Sequence, residues 1–330
     1  MTGQDRLRQA EDWAAQVLVW PNWEIAPASA DASFRNYYRI SRHSDSFVIM
    51  DAPPEREPLA PFIDVAGRLQ RAGLHVPRIL AEDTDRGFLL LKDLGVRPYH
   101  QALNEQNANA LMADAMRALT VMQRRANHDG LPAYDAGRLL EELALFPDWF
   151  LACHWRVEPT EAELDDWDLL CAQLIRWALD QPQVFCHRDF MPRNLMLSDP
   201  NPGIIDFQDA VVGPISYDPI SLFRDAFISW PQPRVDAWLE DYRLRGIEAG
   251  LPLPDCAELW RRTCDFMGAQ RHLKVIGIFA RIRYRDGKPH YLEDVPRFFR
   301  YLDFAIARNP ELAPLGRLLE AWRLRRELPQ

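Results

Sequence analysis

The stretch from Val184 to Asp209, VFCHRDFMPRNLMLSDPNPGIIDFQD, constrains the fold of this chain more than any other part of its sequence. It contains a His-Arg-Asp triplet that ends at Asp189, followed by Asn194 and then by Asp206. The segment DPNPG has the composition of a turn, and the short apolar runs on either side of it predict two strands. Asn194 and Asp206 therefore lie at the two ends of a predicted hairpin, whose turn can bring both side chains towards one metal ion.

The spacing of these three residues fits the chemistry of phosphoryl transfer. That reaction uses a carboxylate to orient or deprotonate the attacking hydroxyl, and hard oxygen ligands to hold Mg²⁺. In the catalytic-loop pattern H-R-D-x-x-x-x-N the aspartate is the base and the asparagine is a metal ligand, and Asp189 and Asn194 keep that spacing. Asp206 precedes Phe207, as in the D-F of a D-F-G motif. We predict that Asp189 is catalytic and that Asn194 and Asp206 bind Mg²⁺.

A chance match of common loop residues is the alternative interpretation of this stretch. An Asp-Phe pair placed correctly after a predicted hairpin makes the chance match less favourable than the catalytic interpretation. His187 and Arg188 are expected to hold the loop, and we give neither a chemical role.

Composition excludes several classes of protein. The net charge of −9 argues against general nucleic-acid binding, which needs a basic surface. No apolar run is long enough to span a bilayer, and the N-terminal residues carry charges throughout, unlike a signal peptide. The five cysteines form no C-x-x-C pair, which is typical of reduced thiols. We therefore expect a cytoplasmic protein without nucleic-acid or membrane partners.

The pattern of apolar residues changes near residue 95. Residues 1–94 alternate between strand patterns and one central helix, with a further amphipathic helix at residues 4–18. Most of residues 95–330 has helical periodicity, and residues 216–229 are among the predicted helices. The sequence predicts an α+β fold with two lobes: a small strand-rich N-lobe at 1–94 that binds nucleotide, and a large helical C-lobe at 95–330 with the catalytic loop, the metal site and the acceptor pocket. This is the plan of a bilobal protein-kinase-like fold, and the backbone of Lys92, Asp93 and Leu94 at the hinge is predicted to bind adenine.

The strand SFVIMD at residues 46–51 lacks a residue that this plan requires. A kinase carries a lysine there for the α and β phosphates, but this chain has Met50. The whole chain has only three lysines, which are Lys92, Lys274 and Lys288. The phosphate cation must then be an arginine, for which Arg35 and Arg39 are the candidates. The alternative is that both arginines are solvated surface charges.

The turn before Arg35 is predicted to complete the phosphate site. The backbone amides of residues 32–34 can form an anion-binding nest, so Ser33 and Phe34 join Arg35 as predicted nucleotide-binding residues. The acid that would pair with the cation is expected on the helix at residues 58–72, but the sequence does not identify it.

The residues after the catalytic loop differ from those of a protein kinase. Met191 stands where Ser/Thr protein kinases usually have lysine, and no A-P-E follows Asp206. The segment Gly213–Pro219 follows Asp206 so closely that the chain between them is too short to form the peptide-binding platform of a protein kinase. The chain resembles the aminoglycoside-phosphotransferase-like small-molecule kinases in three places: the loop with Asp189, the sequence IIDF at residues 204–207, and the region around Asp218. The resemblance implies that Asp218 stabilises the catalytic loop from behind.

Four further segments narrow the resemblance, namely residues 31–39, 48–54, 221–225 and 270–288. In them, and over nearly its whole length, the chain is similar to the bacterial N-acetylmuramate/N-acetylglucosamine anomeric kinases. The resemblance implies Mg²⁺-dependent transfer of phosphate from ATP to the anomeric (C1) hydroxyl of an amino sugar. It also implies that the 1-phosphate feeds UDP-amino-sugar synthesis in peptidoglycan recycling.

Muramate carries a lactyl carboxylate, so its pocket is expected to contain a cation. The candidates from the C-terminal half are Arg224, Arg271 and Lys274, and the alternative is that these belong to a solvated helix face.

Two other functions stay open. One is a small-molecule kinase for an aminoglycoside, choline or homoserine; the other is a nucleotide-binding pseudokinase, favoured by the missing strand lysine but disfavoured by the intact Asp189, Asn194 and Asp206.

Overall fold

The computed structural model describes residues 3–18, 20, 22–29 and 35–326. The predicted nucleotide-binding residues Ser33 and Phe34 lie outside the described residues. The chain forms two compact units, one of Met1–Val121 with Arg193–Asp209, and one of Met122–Pro192 with Ala210–Gln330. The predicted lobe boundary after residue 94 stays a prediction.

The first unit is built on a five-stranded antiparallel sheet in the order β1-β2-β3-β5-β4. Its strands are β1 (Glu24–Ser29), β2 (Asn36–Arg42), β3 (Asp45–Asp51), β4 (Ile79–Asp83) and β5 (Phe88–Lys92). The helices of this part of the chain are α1 (Gly3–Val17), α2 (Ala60–Arg71), α3 (Tyr99–Ala102) and α4 (Ala108–Arg125). The strands and the central helix predicted for this region are therefore confirmed.

Helix α1 covers one face of the sheet. Its apolar residues Ala10, Trp13 and Ala14 pack in one buried cluster with Ile49 of β3 and with other sheet residues. Successive side chains of a strand point to opposite faces, so Met50 points away from α1, and it is fully buried. The position at which the strand lysine was expected is thus part of the apolar core.

A short hairpin of β7 (Leu195–Met196) and β8 (Gly203–Ile204) also belongs to the first unit. Its outer backbone groups bond to the same unit, since Leu197 N donates to Arg97 O and Ile204 N to His75 O, each at 2.8 Å. A Cβ on Gly203 would lie 2.9 Å from Leu94 Cδ1, so any larger residue here would require the Leu94 side chain to shift. The hairpin predicted around DPNPG is confirmed.

The second unit is mainly helical. Its helices are α5 (Ala136–Leu145), α6 (Glu161–Leu179), α7 (Tyr217–Phe223), α8 (Gln232–Glu248), α9 (Ala257–Asp286), α10 (Val295–Arg308) and α11 (Ala313–Arg326), with a π-helical segment at Phe146–Trp155 and 3₁₀ turns at Pro289–Asp294 and Pro310–Leu312. A further 3₁₀ turn, Pro192–Asn194, precedes β7. Strands β6 (Gln183–Cys186) and β9 (Val211–Pro214) pair antiparallel. The predicted α+β class is confirmed.

Helix α9 is buried along most of its length, from Trp260 to Ala280. Charged side chains are rarely buried unless they are paired, yet the buried residues of α9 include Asp265, Arg271 and Lys274. This helix therefore supplies polar groups to the interior of the second unit as well as apolar ones.

One helix is shorter than the sequence predicts. The pattern at residues 216–229 predicts a continuous helix, but α7 ends at Phe223. Asp225 Oδ2 accepts hydrogen bonds from the backbone N–H groups of Phe227 at 2.7 Å and Ile228 at 2.8 Å. An aspartate that bonds to following amides stabilises a turn in place of a helix.

Among the described residues, none of the helices has the length and apolar character that a membrane span requires.

Candidate active site

Asn194 and Asp206 lie side by side at the open end of the β7–β8 hairpin. Ile205 N donates to Asn194 O at 3.0 Å, which extends the hairpin pairing by one step. The Asn194 Nδ2 atom donates to Asp206 Oδ2 at 3.3 Å. The structure therefore brings together the two residues predicted to bind metal.

The backbone and the neighbours of Asp206 fix the direction of its carboxylate. Its φ is +61°, a left-handed conformation that is uncommon outside glycine and that clusters at functional sites. Gln208 Nε2 donates to Asp206 Oδ1 at 2.8 Å. The next residue, Phe207, packs its ring 4.9 Å from that of Phe62 on α2. The D-F pair is thus anchored on one side by the hairpin and on the other by helix α2.

The donor atoms of this pair fit Mg²⁺. Because Asn194 Nδ2 donates to Asp206, the amide oxygen is the atom that Asn194 can offer to a cation. A carboxylate and an amide oxygen are the hard ligands that Mg²⁺ prefers, and Mg²⁺ usually takes only one or two carboxylates from the protein and completes its shell with phosphate and water.

The catalytic loop follows β6 in the second unit, and a buried carboxylate holds its backbone. Asp218 at the start of α7 is fully buried. Its Oδ2 accepts from His187 N at 2.7 Å and its Oδ1 from Arg188 N at 2.9 Å. Burial raises the pKa of Asp218, although the nearby His187 and these amide donors act in the opposite direction. The expectation that Asp218 stabilises the loop from behind is confirmed.

The side chain of Arg188 holds the same loop. Its backbone has a φ of +74°, and its Nη2 donates to Glu142 Oε1 on α5 at 2.6 Å. Arg188 therefore binds one carboxylate through its backbone and another through its side chain, immediately before Asp189. Asp189 is partly exposed, and its own N–H lies 3.3 Å from His187 Nδ1. The expected holding role of Arg188 is confirmed.

Glu142 is the centre of a charged cluster that the sequence did not reveal. Its Oε1 also lies 2.8 Å from Lys274 Nζ, and Tyr134 OH donates to its Oε2. Lys274 Nζ donates in addition to Tyr217 OH at 3.0 Å. In the sequence Glu142 is one acid of an ordinary amphipathic helix, so no local signal distinguishes it.

All three predicted acceptor-binding cations are buried in the second unit, so the alternative of a solvated helix face is wrong. Arg224 is 1% exposed and pairs with Asp265 at 2.7 Å. Lys274 and Arg271 come together at Tyr217, whose ring lies 5.9 Å from the Arg271 guanidinium carbon. Arg224 takes part in the separate ion pair with Asp265.

Arg271 differs from Arg224 and Lys274 in having no carboxylate within ion-pair distance among the described residues. It is 2% exposed, and its Nη2 donates to Ser221 Oγ at 2.8 Å. Its Nε and Nη1 are buried and have no hydrogen-bond acceptor among the described residues. Buried donors normally have partners, so two unsatisfied ones need an explanation.

Arg35 occupies a position suited to a phosphate cation in the first unit. It directly precedes β2, and its Nη2 lies 2.7 Å from Glu57 Oε2. Glu57 stands just before α2, whereas Asp64 within α2 pairs with Arg68 at 2.8 Å on the surface. Glu57 is therefore the acid that pairs with Arg35. It lies just before residues 58–72, the helix on which the sequence predicted that acid.

Arg39 holds the hinge segment. Its Nε lies 2.6 Å from Asp93 Oδ2 and its Nη2 donates to Gly95 O at 3.0 Å. Burial would raise the pKa of Asp93, but hydrogen bonds from Arg39, Ser46 and Gly95 lower it. Of the other predicted hinge residues, Lys92 ends β5 and is exposed, and Leu94 is buried. Arg35 and Arg39 are both ion-paired, with side chains 10% and 23% exposed, so neither is a freely solvated surface charge.

The chain is similar in sequence to a known family and to proteins from two bacteria. The sequence model of the phosphotransferase enzyme family matches residues 24–260. A Pseudomonas aeruginosa protein named N-acetylmuramate/N-acetylglucosamine kinase is 56% identical over 97% of each chain. A Neisseria meningitidis protein of the same name is 41% identical over 95% of each chain.

Solved structures show the same fold at low sequence identity. An ADP-bound aminoglycoside phosphotransferase matches 92% of this chain and 99% of its own, with a TM-score of 0.60 and 17% identity. A choline kinase from Cryptosporidium parvum matches 94% of this chain and 97% of its own, with a TM-score of 0.63 and 10% identity. The predicted protein-kinase-like fold is confirmed.

Proposed function

Because this chain belongs to the phosphotransferase enzyme family, we propose that it is an ATP-dependent kinase of the anomeric (C1) hydroxyl of N-acetylmuramate and N-acetylglucosamine. The observation that carries the proposal is the 56% identity, over 97% of both chains, to a protein named as a kinase of these two sugars. The adjacent Asn194 and Asp206 support phosphoryl transfer as the chemistry. The proposed product is a sugar 1-phosphate, which would feed UDP-amino-sugar synthesis in peptidoglycan recycling.

In the proposed mechanism Asp189 orients the anomeric hydroxyl and accepts its proton as the oxygen attacks the γ-phosphorus of ATP in line. The bond from the γ-phosphorus to the bridging oxygen breaks, and ADP leaves. An anomeric hydroxyl is more acidic than an ordinary alcohol, so a carboxylate is an adequate acceptor for its proton. Asn194 and Asp206 would hold Mg²⁺, which neutralises charge on the β and γ phosphates.

Nucleotide binding is proposed for the first unit. Arg35 would contact the α and β phosphates in place of the absent strand lysine, with Glu57 as its ion-pair partner. The backbone of Lys92, Asp93 and Leu94 would bind adenine, and the bonds from Arg39 to Asp93 and Gly95 hold that segment in place. Ser33 and Phe34 are proposed to add backbone donors for the phosphates.

Replacing Arg35 by methionine is expected to raise the KM for ATP by about tenfold or more, since a hydrogen bond to a charged group contributes roughly 1.5–3 kcal/mol. The KM for the sugar should change little. Initial rates over an ATP titration measure this, with Arg8→Met on the exposed side of α1 as the matched control. Equal KM values for ATP in the two variants would contradict the role of Arg35.

The acceptor is proposed to contact the second unit, where Arg271 supplies the cation for the muramate carboxylate. Its two unsatisfied N–H groups suit a carboxylate. Arg224 also has two unsatisfied N–H groups, but it is paired with Asp265, and Lys274 is paired with Glu142. Arg224 and Lys274 are then proposed to support the pocket through these ion pairs.

The variant Arg271→Met is expected to lower kcat/KM for N-acetylmuramate by about tenfold to a hundredfold. N-Acetylglucosamine lacks the carboxylate, so its kcat/KM should fall much less. The ratio of the two values is the measurement, and Arg283→Met, an exposed arginine on the same helix, is the control. An equal loss for both sugars would mean that Arg271 only supports the fold.

The proposed function is tested by incubating the pure protein with Mg²⁺ and ATP and one of four acceptors: N-acetylmuramate, N-acetylglucosamine, kanamycin or choline. ADP release and phosphorus NMR report turnover and the position of transfer. A sugar 1-phosphate signal is the expected result. Turnover of kanamycin or choline alone would overturn the acceptor, and ATP binding without any turnover would favour a pseudokinase.

A further inference from the structure

Glu142 receives more donors than an ordinary structural carboxylate. Arg188 and Lys274 approach its Oε1 at 2.6 Å and 2.8 Å, and Tyr134 and Gln270 donate to its Oε2, the latter at 3.4 Å. The side chain of Glu142 is only 12% exposed. Burial would raise the pKa of Glu142, but the charges of Lys274 and Arg188 lower it. Glu142 is therefore an anion between two cations.

The same two cations lie close enough to Asp189 to interact with its charge. Burial lowers the pKa of Lys274, but the nearby Tyr217, Glu142 and Asp189 outweigh burial and raise it. The negative charge of Asp189 also stabilises the guanidinium of Arg188, its neighbour in the chain. Arg188 and Lys274 are thus both paired with Glu142 and interact more weakly with Asp189. The charges of the four groups sum to zero.

This balance determines what happens if one carboxylate loses its charge. Buried cations need an anionic partner, because an uncompensated buried charge is strongly destabilising. Without the charge of Glu142, Asp189 would be the carboxylate left to both Arg188 and Lys274. An Asp189 carboxylate held by two cations has a different orientation, and its oxygens are occupied by those cations in place of the acceptor hydroxyl.

We propose that Glu142 is a positioning residue that binds Arg188 and Lys274 and so leaves the Asp189 carboxylate available to the acceptor hydroxyl. The proposal depends on the proposed function in one respect: it assumes that Asp189 is the residue that contacts the acceptor hydroxyl. It concerns the transfer step, whatever acceptor the protein uses. Glu142 itself need not touch substrate.

The variant Glu142→Gln tests this, because it removes the charge and keeps the size of the side chain. We expect kcat to fall about a hundredfold, within the range for loss of a proton acceptor. The KM for ATP should stay within about threefold, since the proposed nucleotide contacts are in the first unit. Glu142→Asp keeps the charge and should recover most of kcat. Glu141→Gln changes the exposed neighbour of Glu142 on α5 and is the matched control.

Two further measurements separate positioning from loss of fold. Tyr134→Phe removes one hydrogen bond to Glu142 without changing its charge, and its kcat should stay near that of the wild type. The melting temperature of each variant shows whether kcat follows stability. The proposal is overturned if Glu142→Gln keeps kcat within about threefold, if Tyr134→Phe loses as much as Glu142→Gln, or if kcat simply follows the melting temperature.

The assay uses the acceptor that the wild-type protein turns over best, so a wrong choice of sugar does not affect the comparison between variants. If the wild type turns over no acceptor, the proposed function fails in that first measurement, and the role of Glu142 in transfer fails with it. A normal wild type with an unaffected Glu142→Gln variant rejects the role of Glu142 alone.

Discussion

Replacing Asp189 by asparagine is expected to lower kcat by about a thousandfold, within the range that a positioned proton acceptor contributes. The amide is nearly the same size as the carboxylate, but it does not accept a proton at neutral pH. The backbone of the loop should keep its shape, because Asp218 binds the N–H groups of His187 and Arg188 independently of the Asp189 side chain. The loss should therefore fall on the transfer step.

Two measurements together test this expectation. ADP release under saturating ATP and acceptor gives kcat, and calorimetric titration with ATP gives nucleotide affinity, which should stay within about threefold because the proposed nucleotide contacts are in the first unit. Asp180→Asn, an exposed aspartate at the end of α6, is the control for the same chemical change. An Asp189→Asn variant with nearly wild-type kcat would remove Asp189 from the mechanism.

The second large effect is expected for Asp206→Asn. This change removes the charged member of the proposed metal pair and leaves two neutral amides, which are poor ligands for Mg²⁺ on their own. The asparagine tolerates the left-handed backbone of this position, where φ is +61°, because asparagine is enriched in that region. We therefore expect the hairpin to stay intact and kcat to fall about a thousandfold, comparable to other losses of transition-state charge stabilisation.

The metal dependence distinguishes this effect from a general loss of activity. In the wild type, Mg²⁺ should increase both ATP affinity and turnover, whereas in Asp206→Asn the affinity for ATP should be nearly the same with Mg²⁺ and with EDTA. Asp199→Asn changes an exposed carboxylate in the turn of the same hairpin and should leave the Mg²⁺ titration unchanged. A normal Mg²⁺ requirement in Asp206→Asn would show that the metal is held elsewhere.

The sequence predicted the hairpin and the proximity of Asn194 and Asp206 because the relevant interactions are local. Asn194 and Asp206 are separated by 12 positions, and a turn of recognisable composition lies between them. Turn chemistry and short apolar runs are sufficient to pair β7 with β8. The missing strand lysine was equally visible, since it required only the identity of Met50 and a count of lysines.

Sequence patterns predicted the structure less well at positions where a single side-chain bond, and not hydrophobic periodicity, sets the local structure. The helix predicted to run to residue 229 ends at Phe223, because the Asp225 carboxylate binds the following amides. Arg35 was predicted as a phosphate cation, but its partner Glu57 lies before helix α2 and was missed. In both cases a single side-chain bond set the outcome, and hydrophobic periodicity carries no information about such a bond.

The local sequence was enough to identify the chemical groups of this protein and the loops that carry them, since Asp189, Asn194 and Asp206 stand at the spacing of a phosphoryl-transfer site. The pairing of charges, in contrast, depends on how the helices pack. Glu142 meets Arg188 across 46 positions and Gln270 across 128, and such pairs form only when α5, α9 and the catalytic loop pack together. The physical reason is that burial makes an unpaired charge costly, and burial is a property of the packed chain.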